Sequence, residues 1–194
     1  MEKSIGPKKI RTAVFISGTG SNLKNLIKFS LKRKSPIQIN LIITNNPKAI
    51  GLRYAKIYKI KKKIYNYKKK EFSEKKSLND LKLNDIKLVC LAGFMKILSR
   101  DFIKKFKGKI LNIHPSLLPK YKGLKTHERV IKNKEKYSGC TVHLVNSKLD
   151  SGKIIIQKKV KLSKQESPSS LRKKILKHEH KLYPKAISKL FANL

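Results

Sequence analysis

The hydrophobic positions of the chain form short apolar runs that alternate with amphipathic segments. Residues 12–17 form an apolar run of strand length, and the apolar positions between 23 and 31 recur at helical spacing. Similar runs predict strands at 37–44, 62–65, 88–92, 110–114, 140–145 and 154–161. Helical spacing predicts helices at 50–57, 71–83, 99–106, 127–132 and 170–190, the last interrupted or kinked near Pro184.

This alternation predicts an α/β fold with a doubly wound, mostly parallel sheet, because right-handed helical crossovers join neighbouring parallel strands. The last two predicted strands are separated by the hairpin-length loop 146–152, so we expect the sheet to end in an antiparallel pair of strands. A length of 194 residues suits one domain, 1–194. We expect a phosphate-binding half at about 10–107 and a catalytic half at about 108–194.

The formal net charge is +38, and most of the basic residues are lysine. Such a charge by itself suggests a polyanionic partner. The lysines, however, are spread over every segment and are not gathered with arginine and aromatic residues on one face. We therefore expect no specific nucleic-acid partner and favour small substrates that carry phosphate and carboxylate. A basic nucleic-acid-associated protein is the alternative.

The two cysteines, Cys90 and Cys140, lie in apolar, β-rich runs and are predicted to be buried reduced thiols. The chain shows no Cys/His spacing of the kind that binds metals, so no metal is expected. No apolar run approaches the roughly 20 residues that cross a bilayer, and the first ten residues lack a secretory signal. The expected location is the cytoplasm, with no membrane partner.

A glycine-rich segment, Gly18-Thr19-Gly20-Ser21-Asn22, lies where the first strand passes into the first helix. Free backbone N–H groups and the helix dipole favour an anion at such a turn. The segment lacks the third glycine of a dinucleotide fingerprint and the lysine of a triphosphate-binding loop. We predict that Gly20, Ser21 and Asn22 bind a phosphate, and a glycine-rich turn without a ligand is the alternative.

Asn112 and His114 lie at the carboxyl end of a predicted strand, the edge at which open parallel sheets bind ligands. They are two positions apart, so their side chains share a face. An amide that donates to an oxyanion and an imidazole that moves protons would suit acyl transfer. Asp150, one of 11 acidic residues, could raise the pKa of a nearby imidazole. A structural histidine and an Asx turn at Asp150 are the alternatives.

Five motifs occur in this order: Ile-Ser-Gly-Thr-Gly-Ser-Asn-Leu (16–23), Leu-Ala-Gly-Phe-Met-Lys-Ile-Leu (91–98), Asn-Ile-His-Pro-Ser-Leu-Leu-Pro-Lys-Tyr (112–121), Thr-Val-His-Leu-Val (141–145) and His-Glu-His-Lys-Leu-Tyr-Pro (178–184). With them the chain resembles the folate-dependent phosphoribosylglycinamide formyltransferases of purine biosynthesis. The resemblance implies formyl transfer from 10-formyltetrahydrofolate to the amine of 5'-phosphoribosylglycinamide, without a metal. It also implies a monomer or weak dimer.

The resemblance also implies a role for particular residues. Asn112, His114 and Asp150 match the catalytic trio, in which Asp150 would keep His114 protonated and oriented. The residues that match the phosphoribosylglycinamide site are Gly20, Ser21, Asn22, Leu176, Lys177, His178 and Glu179. The residues that match the folate site are Lys70, Met95, Lys96, Ile97, Leu98 and Asn112, with the loop 146–150 as a further wall.

Two related enzyme classes are the alternatives within this resemblance. The 10-formyltetrahydrofolate hydrolases share the fold and the trio but usually carry an additional N-terminal regulatory domain. The methionyl-tRNA formyltransferases usually carry a C-terminal RNA-binding domain. A chain of 194 residues leaves little room for either addition, so we favour the transferase that acts on phosphoribosylglycinamide.

Overall fold

A computed structural model describes residues 9–192, and strands and helices alternate along that range. The elements are β1 (Ile10–Ile16), α1 (Ser21–Ser30), β2 (Ile37–Thr44), α2 (Leu52–Ile57), β3 (Lys61–Ile64), α3 (Lys70–Leu83), β4 (Leu88–Leu91), α4 (Arg100–Lys105), β5 (Lys109–His114), α5 (Thr126–Lys132), β6 (Tyr137–Leu144), β7 (Ile154–Lys161) and α6 (Pro168–Leu190). Every predicted strand and helix is present, with its ends shifted by at most a few residues.

The strands form one sheet in the order β3-β2-β1-β4-β5-β6-β7. The first five are parallel, whereas β6 runs antiparallel to both β5 and β7, which confirms the predicted mostly parallel sheet with an antiparallel C-terminal pair. The strand order reverses between β1 and β4, and the loops that follow β1, β4 and β5 leave the sheet at one edge. Open α/β sheets bind their ligands at such a reversal.

The hydrophobic core lies on both faces of the sheet, because successive side chains of a strand point in opposite directions. In β1, Val14 and Ile16 pack into the cluster that includes α1 and α6, whereas Ala13 and Phe15 pack into the cluster on the opposite face. All four side chains are buried. Because the central strands are buried on both faces, their sequences are continuous apolar runs and do not alternate between apolar and polar residues.

The two free thiols are buried in the sheet, as predicted. Cys90 lies on β4 and Cys140 on β6. Burial raises the pKa of each thiol to about 12. Both cysteines therefore stay protonated at neutral pH and serve as small apolar core residues.

The last helix, α6, continues through Pro184, so the predicted interruption there is wrong. A proline has no N–H to donate to the carbonyl four residues earlier, which here is that of His180. The side chain of Asn25 on α1 donates a hydrogen bond to this carbonyl instead. A side chain from another helix thus satisfies the acceptor that Pro184 leaves free, and the helix can continue.

Both edge strands of the sheet carry exposed lysines, namely Lys61, Lys62 and Lys63 on β3 and Lys158, Lys159 and Lys161 on β7. Charged side chains on an edge strand disfavour pairing with the edge of another chain. Among the helices within residues 9–192, none has the length and apolar character needed to cross a bilayer.

Candidate active site

The three residues predicted to carry the chemistry lie together at the carboxyl end of β5. Nδ1 of His114 lies 3.4 Å from Oδ2 of Asp150, and Nδ2 of Asn112 lies 3.4 Å from Oδ1 of the same carboxylate. The side chains of His114 and Asp150 are both buried, whereas Asn112 is half-buried. A carboxylate on the β6–β7 loop therefore contacts both polar side chains at the end of β5.

The β6–β7 loop reaches the site through an uncommon backbone conformation. Asp150 has a φ of 43°, in the left-handed region that a short polar residue tolerates better than most. At Gly152 a Cβ would lie 1.7 Å from the carbonyl oxygen of Leu144, so only glycine lets the loop fold back over the end of β6. The amide of Gly123 donates a 2.8 Å hydrogen bond to Oδ2 of Asp150, the oxygen that also faces His114.

A second histidine, His143, contacts the trio, and the sequence analysis assigned it no role. It pairs with Asn112 in the antiparallel register of β5 and β6. Its Nδ1 lies 2.8 Å from the carbonyl oxygen of Leu144, which can only accept, so Nδ1 carries a hydrogen. In the neutral ring Nε2 is then an acceptor, and it lies 3.2 Å from Nδ2 of Asn112. The antiparallel register, had it been known, would have pointed to this histidine.

These contacts use both hydrogens of the Asn112 amide. One hydrogen points to Nε2 of His143 and the other to Oδ1 of Asp150, at 3.2 Å and 3.4 Å between heavy atoms. Both distances exceed the usual length of a strong hydrogen bond to a charged group. An oxyanion in the site can therefore compete for the Asn112 amide.

The His114 ring is held through both of its nitrogens. Nε2 lies 2.8 Å from the carbonyl oxygen of Tyr121 and therefore donates, while Nδ1 faces Asp150. Burial lowers the pKa of His114 below its ordinary 6.5, and the Tyr121 carbonyl and the Asp150 charge offset this effect only in part. Desolvation of the ring thus outweighs the rise in pKa that Asp150 by itself produces, so the pKa of His114 is lowered overall.

For the pKa of Asp150, in contrast, hydrogen bonds and nearby charges outweigh the effect of burial. Burial by itself would raise the pKa of the carboxyl, but the nearby His143 ring, the hydrogen bond from the Gly123 amide and the nearby His114 ring outweigh it. The pKa of Asp150 consequently lies below its ordinary value. At neutral pH the free site thus pairs an ionised carboxylate with a mostly neutral imidazole.

The glycine-rich turn lies at the amino end of α1. Gly20 precedes the helix with a φ of 72°, and no side chain caps the first N–H groups of α1. A Cβ at Gly20 would lie 2.6 Å from Cα of Gly51, so two chain segments approach there more closely than any side chain permits. No acidic residue occurs in the first turn of α1. Uncapped N–H groups in a first turn with no acidic residue of its own favour an anion at the helix terminus.

Of the four residues expected on α6, Glu179 is the one that contacts the turn. Its Oε2 accepts a 2.7 Å hydrogen bond from Nδ2 of Asn22. Burial raises the pKa of Glu179, and the hydrogen bond from Asn22 only partly offsets this. Leu176 and His178 on the same helix are half-buried, and Lys177 is exposed.

The residues expected at a folate site lie on the β4–α4 loop and at the start of α3. Met95 and Ile97 are 62% and 63% exposed, and Lys96 is exposed as well. Leu98, in contrast, is buried in the hydrophobic core, so its side chain anchors the loop to the core. Lys70 is the first residue of α3.

Several contacts hold the β4–α4 loop in place. Oγ of Ser17 accepts a 2.8 Å hydrogen bond from the amide of Met95. The buried carboxylate of Glu74, one helical turn after Lys70, accepts a 2.8 Å hydrogen bond from the amide of Ser99. The loop that exposes Met95 and Ile97 is thus attached both to the glycine-rich turn and to α3.

Several apolar side chains on the loops that follow β4, β5 and β6 are exposed. Besides Met95 and Ile97, Leu124 and Leu149 are 71% and 49% exposed, on the two segments that contact Asp150. Exposed apolar side chains together with a few convergent polar groups are typical of a small-molecule site. Within residues 9–192, no group of three or more His, Cys, Asp or Glu side chains is arranged to hold a metal ion.

Comparison with known proteins gives consistent matches. A family model described as formyl transferase matches residues 10–187. Phosphoribosylglycinamide formyltransferase of Haemophilus influenzae is 40% identical over 190 residues, which cover 93% of this chain and 85% of that protein. The crystal structure of phosphoribosylglycinamide formyltransferase from Bacillus halodurans superimposes with a TM-score of 0.90 at 34% identity and covers 94% of this chain and 96% of that one.

The chain also matches part of a longer class of protein. The human trifunctional purine biosynthetic protein adenosine-3 is 42% identical over 187 residues, which cover 95% of this chain but only 18% of that protein. The chain therefore spans less than a fifth of the length of the trifunctional relatives that it matches.

Proposed function

The chain belongs to the formyl transferase family, and from that premise we propose that it transfers a formyl group from 10-formyltetrahydrofolate to the amine of 5'-phosphoribosylglycinamide, a step of purine biosynthesis. The observation that carries the proposal is the convergence of Asn112, His114 and Asp150 at the ligand-binding edge of the sheet. Similarity to named phosphoribosylglycinamide formyltransferases over most of their length supports the choice of substrates.

Asn112 would stabilise the charge that develops during transfer. When the glycinamide amine attacks the formyl carbon, the carbonyl oxygen becomes an oxyanion. The amide of Asn112 donates to that oxygen in place of its long contact with Asp150. The oxyanion then re-forms its carbonyl bond as the carbon–nitrogen bond to N10 of the folate breaks.

His114 would move the proton from the attacking amine to the leaving nitrogen. Its lowered pKa keeps the ring mostly neutral before reaction, so the ring can accept the proton that the amine loses on bond formation. The ionised Asp150 stabilises the resulting imidazolium, and the Tyr121 carbonyl orients the ring through Nε2. The same proton then goes to N10, so the ring ends neutral.

The other contacts would hold the two small-molecule substrates in register. Gly20, Ser21 and Asn22 bind the phosphate, and Glu179 binds the phosphoribosyl-glycinamide beside it, together with the neighbouring stretch 176–178. On the donor side, the exposed loop 95–97 forms the wall against the pterin, and Lys70 meets a carboxylate of the folate. Holding both reactants in register can contribute roughly 7–11 kcal/mol of barrier reduction at best.

The test is formyl transfer by the purified chain with the two named substrates. We expect product formation by the parent, and His114→Ala and Asp150→Asn should each lower kcat by about 100-fold or more. His180→Asn and Asp101→Asn are matched controls outside the proposed site and should stay near the parent. Activity of the first two variants within a few-fold of the parent would contradict the assignment.

The related activities are separated by the same assay. Consumption of 10-formyltetrahydrofolate without formylation of the glycinamide would indicate a hydrolase. Formylation of charged initiator tRNA but not of phosphoribosylglycinamide would indicate a tRNA formyltransferase. Either result would contradict the proposed substrate pair.

A further inference from the structure

The segment between β5 and α5 supplies both backbone groups that contact the His114–Asp150 pair. The carbonyl of Tyr121 accepts from Nε2 of His114 at 2.8 Å. The amide of Gly123 donates to Oδ2 of Asp150, also at 2.8 Å. The relative orientation of imidazole and carboxylate therefore depends on the conformation of residues 121–125, which we call the contact loop.

The contact loop has an unusual backbone. Three of its residues, Tyr121, Gly123 and Lys125, have φ values of 57°, 78° and 52°. A non-glycine residue in this left-handed region is disfavoured by roughly 1–2 kcal/mol. Such a loop needs contacts from outside its own backbone to keep one conformation.

One side chain, Arg129 on α5, makes such contacts with three of the five loop residues. Its Nη1 donates to the carbonyl oxygen of Lys122 at 2.6 Å and lies 3.4 Å from that of Leu124. These two carbonyls flank Gly123 in the sequence. The guanidinium also lies over the ring of Tyr121, 5.4 Å from its centroid. Arg129 thus contacts the residues on both sides of the Gly123 amide and the residue whose carbonyl holds His114.

We propose that Arg129 is a positioning residue, whose guanidinium fixes the contact loop so that the Tyr121 carbonyl and the Gly123 amide align His114 with Asp150. This inference rests on the proposed function, because alignment matters for catalysis only if the His114–Asp150 pair transfers the proton. Among the described residues, Arg129 forms no hydrogen bond or ion pair with either side chain, although its charge contributes to lowering the pKa of His114. Its positioning effect passes through the backbone of the contact loop.

Arginine suits this task for a geometric reason. A planar guanidinium can donate in more than one direction while its face stacks on an aromatic ring, which an ammonium group cannot do. The Tyr121 hydroxyl is itself held, since it donates to Glu135 at 2.8 Å and accepts from Asn133 at 2.9 Å. The Tyr121 ring, over which the guanidinium of Arg129 lies, is therefore held in place by these two hydrogen bonds.

The experiment compares Arg129→Gln, Arg129→Lys and Lys132→Gln in the full chain. Lys132 lies on the same helix and is exposed. Lys132→Gln removes the same charge as Arg129→Gln, so it is a matched control. We expect Arg129→Gln to lower kcat by about 10-fold to 100-fold through misplacement of the reacting groups. Both KM values should stay within about twofold, because substrate binding is not the affected step. Arg129→Lys should recover part of kcat, and Lys132→Gln should match the parent.

A direct probe of the loop is hydrogen exchange at the Gly123 amide, followed by NMR. We expect faster exchange in Arg129→Gln than in the parent and in Lys132→Gln, because the hydrogen bond to Asp150 opens more often. A kcat within about twofold of the parent, a rise in KM at unchanged kcat, or a loss of activity matched by a loss of folded protein would each overturn the inference.

The two proposals fail in different ways. Absence of formyl transfer by the parent would refute the proposed function. Unchanged Gly123 exchange in Arg129→Gln would refute the loop contact, whatever reaction the parent performs.

Discussion

Nδ2 of Asn22 on α1 lies 2.7 Å from Oε2 of Glu179 on α6, and this hydrogen bond joins positions 157 residues apart in the sequence. Both side chains are buried. The contact attaches the last helix to the glycine-rich turn, so the proposed phosphate site and the proposed glycinamide site share one hydrogen bond. A buried polar pair of this kind affects stability as well as binding.

Removal of either partner should therefore destabilise the protein. Asn22→Ala and Glu179→Ala each leave a buried polar group without its partner, which costs about 1–3 kcal/mol of unfolding free energy. The double variant should lose less than the sum, with a coupling energy of roughly 0.5–3 kcal/mol. Urea denaturation of the four proteins measures the coupling. Strictly additive losses would mean that the hydrogen bond contributes nothing.

The close approach of two glycines makes a second prediction about stability. A Cβ at Gly20 would lie 2.6 Å from Cα of Gly51, and the φ of 72° disfavours any side chain there. Gly20→Ala should cost about 1–3 kcal/mol, from strain and overpacking. Gly18→Ala is the control in the same turn, since nothing lies within 4 Å of its Cβ position. Equal losses of thermal stability in Gly20→Ala and Gly18→Ala would contradict this prediction.

The charge of Asp150 should be visible in the titration of His114. Asp150 raises the pKa of His114 against the larger effect of burial, so Asp150→Asn should lower that pKa further below 6.5. The shift can be measured by following the ring C–H resonances of His114 by NMR across pH. Asp101→Asn, on the exposed face of α4, should leave the titration unchanged. A higher pKa in Asp150→Asn would be inconsistent with an ionised carboxylate beside the ring.

Histidines whose pKa is lowered in the folded protein should make stability depend on pH. Burial lowers the pKa of His127 below its ordinary 6.5, and Nδ1 of this ring is buried without a hydrogen-bond partner. Between the folded pKa and 6.5 the unfolded chain binds more protons than the folded one, so stability rises with pH in that window. The unfolding free energy should consequently fall as the pH is lowered from about 7.5 to about 5.5.

His127→Gln isolates the contribution of that histidine. Other groups also titrate in the folded protein, and Glu179, whose pKa is raised, works in the opposite direction above its ordinary 4.5. The difference between parent and variant cancels those shared contributions. Urea denaturation should show a smaller loss of stability on acidification in His127→Gln. An equal or larger loss would contradict the predicted role of His127.

The sequence by itself determined those features that depend on near neighbours. The alternation of apolar runs and amphipathic segments predicted the order of strands and helices. The two-residue spacing of Asn112 and His114 placed both side chains on one face, because a strand repeats every two residues. The glycine-rich segment predicted a turn from strand to helix, and α1 begins directly after Gly20. Each of these inferences uses contacts within a few residues.

Only the tertiary structure decided which distant groups meet and how deeply they are buried. The contact of His143 with Asn112 follows from the antiparallel register of β5 and β6, which no local pattern reveals. The continuity of α6 at Pro184 depends on Asn25, a residue of another helix. The pKa of His114 falls, although a carboxylate lies beside it, because packing removes water from the ring, and desolvation is set by every segment that covers the site.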